Sequence, residues 1–340
     1  LVIMNMVKFT YEIDKIKRDI INWYNGKDKY LNIISPPYNS CEFFLDIIQY
    51  VAKKPGRILY ISTNKGCLEI VDNIKSNTNF RDYTFIRSEY SKYDSSLVIW
   101  DLSSISQIHG EFDLIIYDNI SGICTTDYRF IKNICNKYCS SNGKIVFFAI
   151  ETLMKGSKEI NMPLRNNGKP VTEPTVLFTR LNINKDIPYV VYEYLNWSIN
   201  IDKKIIIYVP DKDKVNNLYN YLLKLKNKLN ANIDFFIEDS SDVKVLTNFS
   251  KKKRAILVTN YLGEKYLNFN NINIMVYFAD DDKFDYKKLV YLAGRSSFME
   301  QFEKGEVIFL AKKETNAMAK AKNITRNFNK EAWEMGLLSI

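Results

Sequence analysis

Two kinds of segment alternate along the chain. Short runs rich in Ile, Val, Leu and Phe, at 31–35, 57–62, 113–117 and 144–149, have the length and composition of buried strands. Between them, 41–52, 66–74 and 127–139 place apolar residues at helical spacing. The pattern then repeats, with strands predicted at 203–209, 255–259, 274–279 and 306–311 and helices at 212–229, 285–293 and 314–329. In 212–229 the residues Val215, Leu218, Leu222, Leu225 and Leu229 form one stripe, which reads as core packing. A leader helix at 10–24 puts Ile13, Ile16, Ile20 and Trp23 on one side.

Strand–helix alternation predicts parallel sheets covered on both faces, so the expected class is α/β with two tandem parallel-sheet domains. The stretch 155–188 separates the two blocks and carries Pro163, Pro170, Pro174 and Pro188 with Gly156 and Gly168. The expected organisation is a helical leader at 1–25, a first domain at 26–157, a connector at 158–188 and a second domain at 189–340. Tandem α/β blocks fit dinucleotide enzymes, periplasmic-type binding proteins, glycosyltransferases and helicases. No G-x-G-x-x-G follows any strand, which weighs against the first.

Composition narrows this only a little. Over 340 residues, 46% hydrophobic and 26% charged are the values of an ordinary folded protein. No apolar run is long enough to span a membrane, and residues 1–10 contain no signal-peptide core, so a cytoplasmic protein without membrane insertion is expected. The net charge of +9 is compatible with nucleic acid, but Lys and Asn are simply abundant here. The five cysteines, Cys41, Cys67, Cys124, Cys135 and Cys139, include no C-x-x-C pair, and His109 is the one histidine. Structural thiols and no zinc site are expected.

In such sheets ligands bind outside the carboxyl ends of the strands. After the first strand comes Ser35-Pro36-Pro37-Tyr38-Asn39-Ser40-Cys41-Glu42, where a phosphate-binding loop would sit. It lacks the glycines whose backbone N–H groups close around phosphate, and it lacks the lysine. The strand 112–118 ends in Asp118, followed by Asn119. An apolar strand ending in Asp suits Mg²⁺, and a helix cap suits it equally.

The C-terminal block is more specific. Ala255-Ile256-Leu257-Val258-Thr259-Asn260 leads through Glu264-Lys265 to Phe278-Ala279-Asp280-Asp281, and then to Tyr286 through Arg295 and Gly305 through Leu310. This resembles motifs V and VI of superfamily 2 helicases, in particular the ComFA-type late-competence DNA translocases. Met162 to Pro174, with Pro163, Leu164, Arg165, Gly168, Pro170 and Pro174, resembles the stretch that joins the two motor domains of that family. The resemblance runs from about residue 30 to the C-terminus and implies two RecA-like domains, with ATP and Mg²⁺ as cofactors.

The chain departs from that family at the chemistry. The family's glycine–lysine–threonine is replaced by Asn39-Ser40-Cys41, beside Glu42, and its Asp-Glu by Asp118-Asn119. Arg295 matches the first arginine of motif VI. The arginine-finger position is Phe298, preceded by Ser297, and the motif V glycine is Tyr266. The family's N-terminal zinc module has no counterpart in the sequence. These losses imply a degenerate motor, in which Asp118, Asn119 and Arg295 are vestigial and Asp118 is the one candidate for Mg²⁺. By the same resemblance Thr63, Asn64 and Lys65, with Thr259, Asn260 and Lys265, are candidate nucleic-acid contacts; a helix cap explains Thr63 or Asn64 as well. The segment Asp101-Leu102-Ser103 lacks the hydroxyls and histidine expected of motif Ib. Lys251-Lys252-Lys253-Arg254 reads as a solvated turn or a backbone contact. The leading expectation is weak binding of single-stranded DNA, or of a competence partner, without a motor. A weak ATPase, with stacked adenine and Mg²⁺ on Asp118, and a non-catalytic scaffold for DNA-uptake proteins are the alternatives.

Overall fold

The computed structural model describes the chain except residues 1, 64–68, 87–93, 103–107, 124–125, 239, 264–268, 270, 297–304 and 339–340, and the side chains of 2–7. The candidate contacts Asn64, Lys65 and Lys265 therefore lie outside the described residues. So do Cys67, Ser103, Cys124, Glu264, Tyr266, Ser297 and Phe298.

The chain forms two compact units, Leu1–Pro170 with Phe328–Ile340, and Val171–Asn327. The first begins with α1 (Val2–Tyr24) and contains β1 (Tyr30–Ile34), α2 (Leu45–Ala52, entered through a 3-10 turn Glu42–Phe44), β2 (Ile58–Ser62), α3 (Glu69–Asn77), β3 (Tyr83–Ile86), β4 (Leu97–Asp101), β5 (Phe112–Asp118), α4 (Tyr128–Tyr138), β6 (Cys139–Ala149) and β7 (Lys158–Asn161). Its seven strands lie in the order β3-β4-β2-β5-β6-β1-β7, all parallel. The central strands are buried on both faces, as their unbroken apolar runs require: every residue of β2 is buried, and Ile115 and Ile116 of β5 are 0% exposed.

The second unit contains β8 (Thr175–Phe178), α5 (Tyr189–Asn200), β9 (Lys204–Tyr208), α6 (Lys212–Leu229), β10 (Asn232–Phe236), α7 (Lys244–Lys251), β11 (Ala255–Thr259), β12 (Ile272–Tyr277), α8 (Tyr286–Arg295), β13 (Val307–Ala311) and α9, Asn316–Glu334, whose end returns to the first unit. Its sheet is also parallel, in the order β10-β11-β9-β12-β13-β8. The stripe on α6 packs as its spacing predicts, with Val215, Leu218, Leu222 and Leu229 in the core and Leu225 partly buried against it.

Each sheet has an edge strand inside the stretch read as connector. In β7 only Ile160 is buried, and β8, although Thr175-Val176-Leu177-Phe178 is a short strand-favouring run, has no buried residue. Backbone pairing to β1 and β13 makes them strands. The expected second domain runs to 340, whereas 328–340 groups with the first unit. There Leu164, Ala332 and Leu337 form a small apolar cluster with Phe9, Met335 and Leu338.

Candidate functional site

All strands of the first sheet are parallel, so the loops after β1, β2 and β5 open on one edge. β6 lies between β1 and β5, pairing Ile34 with Ala149 and Asp118 with Phe148. Ser40 and Asp118 thus stand at the same carboxyl edge of the sheet.

The loop after β1 is held by its own chain. The N–H of Ser35 donates to the Ala149 carbonyl (3.0 Å) and that of Tyr38 to the Ile120 carbonyl (3.0 Å). Tyr38 has φ +58°, the left-handed region that a glycine enters without steric cost. Asn39, 1% exposed, fills the hollow of the loop. Its Nδ2 donates to Ser35 Oγ (2.8 Å) and the Leu164 carbonyl (3.0 Å). Its Oδ1 accepts from the N–H groups of Ser40 (3.0 Å) and Asn166 (3.0 Å). Ser40 Oγ accepts from the Glu42 N–H (3.1 Å), and Glu69 Oε1, from the first turn of α3, accepts from the Cys41 N–H (3.4 Å). Pro36 and Pro37 have no N–H to offer. Arg165, 4% exposed in the segment that Asn39 clamps, is lowered to about 10 by burial.

Asp118 is 1% exposed, and its carboxylate is surrounded by donors. Oδ2 accepts from Tyr60 Oη (2.6 Å) and Ser121 Oγ (2.5 Å). Oδ1 accepts from the N–H groups of Ile120 (2.9 Å) and Ser121 (3.2 Å). A carboxylate has about four acceptor sites, and four donors fill them. This is the geometry of a turn cap, and a metal ion would have to displace one of those donors. Asn119, 5% exposed, donates its N–H to the Phe148 carbonyl (2.8 Å). Its Oδ1 is buried with no hydrogen-bond partner among the described residues.

The electrostatics run against a phosphate. Burial, then the neighbouring Asp118, raises Glu69 to about 7. Burial pushes the Cys41 thiol well up, with Glu69 and Asp118 adding to it, and burial beside Asp118 does the same to the Tyr60 phenol. Asn73 Nδ2 lies 3.6 Å from Cys41 Sγ. Among the described residues no group of three His, Cys, Asp or Glu side chains is placed to hold a metal ion.

In the second unit Arg295 is 6% exposed. Its guanidinium donates to Tyr208 Oη (2.8 Å) and to the carbonyls of Leu262 (2.5 Å) and Gly263 (3.2 Å), tying the loop after β11 to β9. Thr259 Oγ1 accepts from the Tyr261 N–H (3.0 Å), and Asn260 Oδ1 from the Glu238 N–H (3.2 Å). In the first unit Thr63 donates its N–H to the Asp118 carbonyl (3.2 Å) and its hydroxyl to the Gly122 carbonyl (3.3 Å). Thr63, Thr259 and Asn260 all follow or close strands at the carboxyl edge of their own sheet. Sequence reasoning missed Glu69, Tyr60 and Ser121, and it did not see what the Asn39 side chain does. An acidic residue in a first helical turn is ordinary in any helix, so Glu69 carried no local signal.

No family model matches the chain. Competence protein ComFA of Bacillus subtilis (strain 168) is 20% identical over 251 residues, which cover 70% of this chain and 53% of that protein. The chain thus spans about half the length of the curated relative it matches. Among solved structures, a variant of S. cerevisiae Dbp5 bound to RNA and ADP BeF3 has a TM-score of 0.60 at 12% identity, over 98% of this chain and 97% of that one. RecG bound to a three-way DNA junction has a TM-score of 0.56 at 13% identity, over 96% of this chain and 46% of that one. The two parallel sheets have the tandem RecA-like fold of those solved structures, and in sequence the chain is similar to ComFA over 70% of its length.

Proposed function

We propose that this chain is a helicase-fold protein of DNA uptake that binds nucleic acid without turning over ATP. The observation that carries this is the closed loop after β1: the N–H groups of Ser40, Cys41 and Glu42 already donate to Asn39, Glu69 and Ser40. A phosphate loop works by presenting such N–H groups to the ligand, with a lysine to add charge. Here the donors are taken, and a carboxyl stands among them.

The replacements act together. Loss of an arginine finger alone costs ~10³–10⁵ in turnover in related phosphoryl-transfer systems. With Ser40 in place of the lysine and Asn119 in place of the acid, hydrolysis is expected to be undetectable with or without single-stranded DNA. The measurement is phosphate release under saturating Mg²⁺–ATP. DNA-stimulated turnover near ~1 s⁻¹, an ordinary slow enzyme rate, would overturn the reading and favour the ATPase alternative.

Nucleic-acid binding is expected to be weak and indifferent to sequence. It would be led by the net charge of +9 and by Thr63, Asn64, Lys65, Asn260 and Lys265; Thr259, expected among them, is fully buried and caps its own loop instead. Hydroxyls, amides and lysines suit phosphate oxygens and carry no base information. Few contacts release few counterions, so affinity should fall with salt along a shallow log–log slope. The double substitution Lys65→Ala and Lys265→Ala should weaken binding equally on unrelated single strands and lower the slope by roughly one per lysine. If the double variant binds like the parent at low salt, the nucleic-acid reading fails and a scaffold for DNA-uptake partners becomes the better one.

A further inference from the structure

The head of the turn leading into α2 is where this fold could offer N–H groups to an anion. In this chain that place is taken from inside. Glu69 reaches across from α3 and accepts the Cys41 N–H (3.4 Å), Ser40 Oγ accepts the Glu42 N–H, and Asn73 Nδ2 lies against Cys41 Sγ. Asn39 holds the preceding N–H and the segment 164–166.

We propose that Glu69 is the resident occupant of the anion place at the loop–helix junction: its carboxyl takes the Cys41 N–H that a phosphate would take, holds the loop in its closed form together with Asn39, and excludes phosphate-bearing ligands. The three successive N–H groups of the loop all have partners within the chain: Ser40 on Asn39, Cys41 on Glu69 and Glu42 on Ser40. Asp118 lies close enough to raise Glu69, so a second carboxyl reinforces the repulsion of any incoming phosphate. Asp118 does not compete for the same donors, because its own four come from Tyr60, Ile120 and Ser121. In sequence Glu69 stands four residues after Lys65, the end of the candidate contact segment Thr63–Lys65. The tie therefore joins the loop after β1 directly to α3. Glu69 is thus a positioning residue.

The proposal rests on reading the loop as closed to phosphate, and its test separates the two. The amide of Cys41 is followed by NMR in the parent and in Glu69→Ala, with formate, inorganic pyrophosphate and, as an ionic-strength control, sodium chloride. In the parent this amide should be protected from hydrogen exchange and silent to all three. In Glu69→Ala its exchange should rise roughly tenfold, as loss of its hydrogen-bond acceptor implies. Formate, the smallest carboxylate, should restore protection and shift its resonance. Sodium chloride should not. If formate leaves folded Glu69→Ala unchanged, or moves the parent equally, the proposal falls. Should Glu69→Ala not fold, the parent and Glu69→Gln decide it. The glutamine keeps an acceptor, so Cys41 must stay protected in both, and free exchange of that amide in the parent overturns the proposal. Binding of pyrophosphate to the parent through this loop would overturn both this inference and the non-motor reading. Failure of DNA binding alone leaves this inference intact and sinks only the other.

Discussion

Asp118→Ala is expected to destabilise the first unit by about 3–5 kcal/mol, since removing a buried acceptor leaves each of its donors short of a partner at ~1–3 kcal/mol apiece. Four donors lose their partner: the hydroxyls of Tyr60 and Ser121 and the N–H groups of Ile120 and Ser121. The hydroxyls can rotate to other acceptors and the backbone groups cannot, so the sum stays below four full penalties. Relief of the repulsion on Glu69 offsets part of it. Asp118→Asn should cost less, because it keeps the shape and one acceptor oxygen but presents an NH₂ to groups that also donate. Urea denaturation monitored through the buried Trp100 of the same sheet would check this, with a fall in midpoint at unchanged slope. A stability unchanged by Asp118→Ala would mean that the carboxylate is not a structural cap, and would restore it as a candidate for Mg²⁺.

The second large effect is a dependence on pH. Glu69 has a folded-state value of about 7 against an ordinary 4.5, raised first by burial and then by Asp118. The folded protein therefore holds this proton more tightly than the unfolded chain does. The stability it contributes is fully present below about pH 4.5 and is lost as pH rises through about 7. At 1.36 kcal/mol per pKa unit, the shift corresponds to about 3 kcal/mol between those limits. Glu69→Gln cannot ionise. It should match the parent near pH 4.5 and exceed its stability above pH 7, with the two curves separating through that window. Thermal or urea unfolding of both proteins across the range measures it. Parallel curves would show that the carboxyl is solvated rather than buried against Asp118. The resident carboxyl thus holds the loop at an energetic cost that grows with its ionisation.

Much of the architecture was legible because local pattern and burial agree. The runs at 57–62, 144–149 and 255–259 are apolar except at their ends (Arg57, Ser62, Lys144, Thr259), a sequence feature that parallel strands covered on both faces require, and they became interior strands β2, β6 and β11. The helix at 212–229 has a four-turn apolar stripe and a cap at Asp211, whose side chain accepts from Lys214. Legibility failed where backbone pairing does what side chains do not signal. β7, Lys158–Asn161, is mostly polar and pairs only through its backbone, so it reads as connector, whereas β8 carried the short apolar run Val176-Leu177-Phe178 among the prolines of the connector and was passed over. α5 is built from Tyr, Val, Trp and Ile, residues of strand preference, and is a helix because Val191, Leu195 and Ile199 dock on the core beside β9. β4 did carry a plain apolar run, Leu97–Trp100, and was missed without physical excuse.

The sequence by itself determined the α/β class, the carboxyl-edge positions of Ser40, Asp118 and Thr259, and the absence of a glycine–lysine phosphate loop. All of these are properties of residues close together along the chain. Only the tertiary structure decided what stands in the loop instead. Glu69 lies 28 residues from Cys41, Tyr60 lies 58 from Asp118, and Leu164 lies 125 from Asn39. A hydrogen bond forms over about 3 Å of space whatever the separation along the chain. A loop that looked like an ordinary turn was therefore closed by partners that no local pattern could name.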